Sequence, residues 1–175
     1  MNRALLSLAV LFTASPPAVH PAARDDFHQK VMEAIAAFRH ADSTIDRLFA
    51  SARAYAVFPS VGKGGFGLGG AHGNGELFEH GAVTGRTSLT QVTVGLQIGG
   101  QVYREVIFFQ DTAALASFKK GQFALSAQVS AVAAAEGAAA NAKYREGVLV
   151  FTIAKGGLML EASVGGQKFS FKPAP

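Results

Sequence analysis

The sequence predicts an α+β fold that is mainly antiparallel β, with helices at its N-terminal end. Residues 25–53 repeat apolar side chains at helical spacing, whereas several later stretches alternate apolar and polar side chains. The chain of 175 residues also contains 20 glycines, many of them between these stretches, where they indicate tight turns. We therefore expect a glycine-rich small barrel or a strongly coiled sheet or sandwich, with one short helix near residues 111–120.

The first 23 residues are typical of a secretory signal peptide. Arg3 gives a positive start, and residues 5–12 are apolar over a length too short to span a bilayer. Two consecutive prolines end this segment, and we expect cleavage near Ala18 or at residues 22–23. A short buried N-terminal helix is the alternative. The signal predicts export to the periplasm, or to the periphery of the outer membrane, of a Gram-negative bacterium.

Residues 24–175 are expected to form a single domain, with a helical segment at 24–53 and a β-rich body at 54–175. In the helical segment the apolar positions recur at spacings of three and four, at Phe27, Val31, Ile35 and Phe38. The spacing then shifts, and Asp42 or Ser43 can cap a second helix. We predict two short helices, or one kinked helix, packed on the domain's own sheet.

The β-rich body is predicted to contain eight or nine short strands joined by tight turns, including a turn at Asn74-Gly75. In residues 91–98, Val92 begins the apolar face of a strand and Gln91 begins its polar face. Residues 102–109 are apolar on both faces, which predicts a buried strand. The remaining strands are predicted at residues 122–131, 147–154, 158–164 and 168–172.

The short helix near residues 111–120 carries a signal at each end. Asp111 can accept a hydrogen bond from the first turn. Lys119 and Lys120 suit the negative end of the helix dipole, and Gly121 supplies the stop.

The composition limits the classes of function. The formal net charge is +4, and from residue 54 onward ten Lys and Arg face seven Asp and Glu, a difference of +3. This bias favours anionic surfaces but is far from the dense basic stripe of a nucleic-acid-binding protein. Since the chain has no Cys, it can form no disulfide and carry no lipid through Cys.

No motif supports catalysis, a cofactor or a metal ion. Residues 65–70 match the dinucleotide-binding pattern G-x-G-x-x-G, but residues 71–75 cannot begin the helix that this site needs. His72 and His80 lack the spacing of a helical metal-binding pair, and no G-x-S-x-G nucleophile motif occurs. We expect a protein that is not an enzyme.

Four stretches together resemble the SYLF domain, and they occur in the order expected for that family. They are AYAVFPSVGKGGFGLGGAHGNG at 54–75, GLQIGGQVYREVIFFQDTAALASF at 95–118, FALSAQVSAVAAAEG at 123–137 and YREGVLVFTIAKGGLMLEASVGGQ at 144–167. The resemblance implies a lipid-binding module. Eukaryotic members bind phosphoinositides, use an N-terminal amphipathic segment at membranes, and in some cases bundle actin. The predicted export places this chain with the short bacterial members, for which actin is not an expected partner.

We therefore expect a non-enzymatic, exported protein that recognises anionic phospholipid or lipid phosphate headgroups. The residues expected to bind are Lys63, Lys155, Lys119, Lys120 and Phe66. Lys63 leads this set because it lies in a glycine-rich run, where a loop's backbone N–H groups and one ammonium can hold a phosphate. An ordinary solvated lysine is the alternative for each of the four. A structural or assembly protein of the cell envelope and a small outer-membrane β-barrel remain alternative functions.

Overall fold

The computed structural model describes residues 21–125, 131–156 and 166–174, and for residues 21–24, 65–68, 93–99 and 156 it describes the backbone alone. Its helices are α1 (Pro21–Ala41), a 3₁₀ turn (Ser43–Ile45), α2 (Asp46–Ser51), α3 (Thr112–Lys119) and α4 (Ala138–Asn141). Its strands are β1 (Ala54–Glu79), β2 (Ala82–Phe109), β3 (Val132–Ala133), β4 (Val148–Gly156) and β5 (Lys168–Pro173). None of the described helices is long and apolar enough to cross a membrane.

The N-terminal helices divide where the apolar spacing shifts, as predicted. The Asp42 carboxylate accepts hydrogen bonds from the backbone and hydroxyl of Thr44, at 2.9 and 2.6 Å, and so caps the 3₁₀ turn. It also accepts from the backbone N–H of Gly137 and Ala139, at 3.1 and 2.6 Å. Burial alone would raise the pKa of Asp42, but these hydrogen bonds outweigh it and lower the pKa. One buried carboxylate thus joins the helical segment to α4, about 95 residues later in the chain.

The predicted helix near residues 111–120 is also confirmed. The Asp111 side chain accepts a hydrogen bond from the Ala114 N–H at 2.9 Å, and α3 begins at the next residue. Lys120 is the C-terminal cap, and Gly121 follows with φ +67°, a conformation that favours glycine.

The body of the domain is a ribbon of two long antiparallel strands rather than a series of short hairpins. β1 has 26 residues and β2 has 28, and they turn at His80-Gly81, both of which have positive φ. The turn predicted at Asn74-Gly75 is wrong, since both residues lie inside β1 and pair with Ser88 and Thr87. A glycine stands at position 75 for a different reason: another part of the same strand approaches it closely.

The ribbon bends back on itself where its register shifts. The pairing of β1 with β2 is irregular between Phe58 and Val61 and again between Phe66 and Leu68. A Cβ placed on Gly75 would lie 2.5 Å from the carbonyl oxygen of Val57 and 2.8 Å from Cδ1 of Phe58. Only a residue without a side chain permits this contact between two turns of the backbone.

The remaining strands extend the ribbon into one sheet with the order β1-β2-β4-β3, while β5 pairs with the first part of β2. All of these pairs are antiparallel except β3 with β4. The predicted α+β class with a mainly antiparallel sheet is therefore confirmed. Of the architectures left open, the described strands form a coiled sheet that is not closed into a barrel.

The sheet has an inner and an outer face, each with its own apolar core. The inner face packs against α3 and β5 through residues that include Phe58, Phe109, Phe118 and Phe169. The outer face packs against α1 and α2 through residues that include Phe38, Val57, Phe108 and Phe151. Residues 102–109 contribute to both cores, as predicted for a strand buried on two sides.

One face assignment was wrong. Gln91, expected on a polar face, is buried, whereas Val92 is 80% exposed. The coil turns the polar side chain inward, and sequence alternation carries no information about which side a coil encloses. The predicted strand at 158–164 and residues 126–130 of the strand predicted at 122–131 lie outside the described residues.

The close approach of β1 to itself at Gly75 leads to a prediction about stability. Gly75→Ala is expected to lower the free energy of unfolding by about 1–3 kcal/mol, because the added methyl group overlaps the Val57 carbonyl and the Phe58 ring. Gly62→Ala in the same strand is the matched control, since no described atom lies within 4 Å of its added Cβ. Its effect should stay within about 0.5 kcal/mol. Urea unfolding followed by circular dichroism measures both, and equal effects would contradict the close approach.

Candidate functional site

The four predicted lysines do not converge on one site. Alternation from Val61 places Lys63 on the inner face of β1. Lys155 lies near the end of β4 and lines a cleft on the outer face. Lys119 and Lys120 lie together at the C-terminal end of α3.

Lys63 lies in a strand and not in the glycine-rich loop that the sequence predicted. Residues 62–65 pair with residues 99–102 of β2, and Lys63 lies opposite Gln101. Successive N–H groups of a strand point to opposite edges, so they do not converge on one anion as the N–H groups of a loop can. Lys63 is half-buried and forms no ion pair with a described residue, and its desolvation lowers the pKa of the ammonium.

The two lysines of α3 differ in their surroundings. Lys119 forms an ion pair with Glu79, and its Nζ lies 5.6 Å from the centroid of the Phe171 ring. Burial alone would raise the pKa of Glu79, but the hydrogen bonds from Lys119 and Thr84 outweigh it and lower the pKa. Lys119 is therefore already neutralised, whereas Lys120 is exposed at the helix cap. For Phe66 the backbone pairs with Ile98, and its side chain lies outside the described atoms.

The outer face carries a cationic cleft that includes Lys155. Its volume is about 290 Å³, and it lies between α1, the irregular part of β1, and the ends of β2 and β4. It is lined by Phe27, Lys30, Glu33, Pro59, Ser60, Asn74, Arg104 and Lys155. We call this site the basic cleft.

Strand alternation explains how two of the three cations reach the basic cleft. Tyr103 and Glu105 are buried in the inner face, so Arg104 between them points outward. Arg104 pairs with Ile153 across the sheet, and Lys155 follows in β4 at a register shift, where it also lines the cleft. Lys30 completes the group from α1, one helical turn after Phe27.

The charge of the basic cleft is not cancelled by its lining. Glu33 is the single acidic group among the lining residues, against three cations. Lys30 also lies 3.8 Å from Asp26 in an exposed pair, which contributes little in water. Arg104 and Lys155 form no ion pair with any described residue. With the Ser60 hydroxyl and the Asn74 amide, these cations can bind an anion with several oxygen atoms, such as a phosphate.

Sequence reasoning found Lys155 and missed Lys30 and Arg104. Arg104 could have been found from its position between two inward-facing residues of a strand that is apolar on both faces. A cation at such a position must face an opening in the outer core. Lys30 carried no such signal, because helix periodicity shows only that it is exposed. Its approach to β4 depends on how α1 crosses the sheet.

A second polar cluster lies buried on the inner face. Gln167 donates a hydrogen bond to Glu105 Oε2 at 3.0 Å and approaches the hydroxyl of Tyr103 at 3.3 Å. Burial raises the pKa of Glu105 to about 8, although the Gln167 hydrogen bond acts in the other direction. Among the described atoms, Glu105 Oε1 and Gln167 Oε1 have no hydrogen-bond partner. A proton on Glu105 supplies a donor to this acceptor-rich cluster, in agreement with the raised pKa.

The raised pKa predicts how stability varies with pH. Between about pH 4.5 and 8 the unfolded chain loses the Glu105 proton that the folded protein keeps, so folding takes up a proton and stability falls as pH rises. This group contributes a slope of up to about −1.4 kcal/mol per pH unit in that range. Glu105→Gln should remove the slope, because the amide stays neutral. It should therefore exceed the parent in stability at pH 8 but not at pH 4.5. Parallel curves for the two proteins in urea unfolding across this range would contradict the assignment.

Comparison with known proteins finds similarity to one family in residues 90–173. Residues 90–173 match the family described as "Ysc84: Las17-binding protein actin regulator". Three of the four stretches on which the resemblance rests lie inside these residues. The chain is also similar to "Beta cell expansion factor A" of Aeromonas veronii, with 36% identity over 72 residues, which are 41% of this chain and 28% of that protein. The matched family region contains Arg104 and Lys155 but not Lys30 or Lys63.

Proposed function

We propose, from the similarity of residues 90–173 to the Ysc84 (SYLF) family, that the protein is an exported lipid-binding protein without enzymatic activity. Its basic cleft binds the phosphate of an anionic phospholipid or lipid headgroup. The family description names Las17 binding and actin regulation, but an exported protein is separated from cytoplasmic actin. The proposal therefore rests on the cleft and not on those partners.

The observation that carries the proposal is the convergence of Lys30, Arg104 and Lys155 from three separate elements. A chain gains nothing in stability by bringing like charges together, because they repel and must be desolvated. An arrangement of this kind is favourable when an anion occupies the space between the charges. The guanidinium supplies two parallel donors that match phosphate oxygens, and each ammonium adds a point charge.

The walls of the basic cleft favour a phosphate that is joined to a lipid over a free inorganic ion. Phe27 and Pro59 form an apolar wall next to the cations. The cleft volume of about 290 Å³ exceeds what one phosphate group fills, so part of an attached glycerol or sugar unit also fits. Ser60 and Asn74 offer hydrogen bonds to the hydroxyl groups of such a unit.

Removing the cleft cations tests the proposal. The double variant Arg104→Ala/Lys155→Ala should bind vesicles of phosphatidylcholine with 30% phosphatidylglycerol at least ten-fold more weakly than the parent, by roughly 1 kcal/mol or more for each lost cation. The measurement is co-sedimentation of the exported, purified protein at 50 and 300 mM salt. Binding should fall at the higher salt concentration, because screening weakens an electrostatic contact.

Lys143→Ala/Arg145→Ala is the matched control, since it removes two exposed cations that lie outside the basic cleft. If binding depends only on net charge, the two double variants will lose affinity equally, and the cleft is then not the site. Equal recovery of the parent protein with neutral and anionic vesicles would contradict lipid-phosphate recognition altogether.

A further inference from the structure

A polar surface continues from the basic cleft across the outer face of β1, β2 and β5. The registers align its side chains in two exposed rows that run across the three strands. The rows are His72, Thr90 and Lys168, followed by Asn74, Ser88 and Ser170. A third row at the α1 side contains Glu76, Arg86 and Lys172. We call these three rows the polar face.

The exposed charges of the polar face are cationic. Lys168 and Lys172 are exposed. The one acid in the rows, Glu76, is buried and is engaged by His28 Nδ1 at 2.7 Å and by Arg86 at 3.7 Å. The three rows of the polar face therefore expose no carboxylate to a partner.

The polar face and the basic cleft are continuous and share one residue. Asn74 stands in the second row and also lines the cleft. The boundary with the helical layer is marked by Phe27, whose ring centroid lies 4.4 Å from the guanidinium carbon of Arg86. Beyond that contact no described helix covers the first two rows, in which His72, Thr90 and Ser170 are exposed.

The chemistry of the polar face fits the headgroups of a bilayer. The central side chains are short, at Asn74, Ser88, Thr90 and Ser170, and Ser88 and Ser170 bind each other through their hydroxyls at 2.7 Å. A peptide helix requires an apolar groove, which these hydroxyl and amide groups do not provide. Flexible lysines at the rim can reach phosphates that lie in a plane, and their stems can lie along the headgroups.

One exposed apolar side chain lies next to this surface. Val92 is 80% exposed and follows Thr90 on the same face of β2, opposite Gly70. Because Gly70 has no side chain, no side chain stands directly opposite Val92 on β1. An apolar group next to lysines suits a bilayer surface, where it can enter the region below the headgroups.

We propose that the polar face is the surface with which the protein lies against an anionic bilayer, so that the basic cleft opens toward the same headgroups. This inference rests on the proposed lipid-binding function and adds the orientation of the domain. In this orientation α3, on the opposite side of the sheet, points away from the membrane.

The absence of Cys from the chain permits a direct test with single labels. Ser170→Cys, labelled with an environment-sensitive fluorophore, reports on the middle row of the polar face. Ala113→Cys, on the exposed side of α3, is the matched control on the opposite side of the sheet. Each labelled protein is titrated with vesicles of phosphatidylcholine alone and with 30% phosphatidylglycerol. We expect the Ser170 label to gain at least two-fold in emission on the anionic vesicles only, and the Ala113 label to stay unchanged.

A charge variant gives a second measurement that needs no label. Lys168→Ala/Lys172→Ala should lower partition onto the anionic vesicles about twenty-five-fold, since each lysine near the surface contributes about five-fold. Lys143→Ala/Arg145→Ala again supplies the control, with a change below about two-fold for exposed charges outside the polar face and the basic cleft.

The outcomes separate the orientation from the function. Anionic-vesicle binding with a silent Ser170 label, or with a responsive Ala113 label, overturns the orientation and leaves the lipid-binding proposal standing. No binding to anionic vesicles overturns both. A Ser170 signal that rises with protein concentration in the absence of vesicles shows that the polar face pairs with a second copy, and this also overturns the orientation.

Discussion

The close approach of Gly75 to the backbone of Val57 is the constraint on which the rest of the domain depends. Two strands of 26 and 28 residues would otherwise form an extended two-stranded ribbon, which has no interior and is unstable alone. Gly85 makes a similar contact with the Phe171 ring, and this contact lets β5 pack closely against the other end of the ribbon. The coil therefore creates an inside and an outside from a single hairpin.

This division assigns the polar groups to two very different environments. On the inner face, Glu105 is removed from water and keeps its proton to a pH near 8. On the outer face, one position earlier, Arg104 stays in contact with solvent and carries a full charge into the basic cleft. Two neighbouring residues of β2 thus differ in their environment: Glu105 is a neutral group in the core, and Arg104 is a cation that lines the basic cleft. They differ because the strand is covered by a different layer on each side.

The parts of the fold that local chemistry decides could be predicted from the sequence, and the parts that the coil decides could not. Asp111 and Gly121 marked the ends of α3, because capping is settled within a few residues. Asn74-Gly75 suggested a turn for the same local reason, but tertiary contact with Val57 keeps these residues in a strand. The basic cleft also depends on tertiary structure, because its three cations come from α1, β2 and β4. Of these cations, only Lys155 was predicted from the sequence.

The position of Lys63 shows why the chemistry of recognition must come from side chains in this domain. A loop of glycines can hold a phosphate with converging N–H groups, but residues 62–65 are extended and paired with β2, so their N–H groups diverge. The glycines serve the bending of the ribbon instead, and they leave no backbone site for an anion there. Under the proposed function, an anionic ligand is held instead by the cations of the basic cleft, where α1, β2 and β4 each supply one.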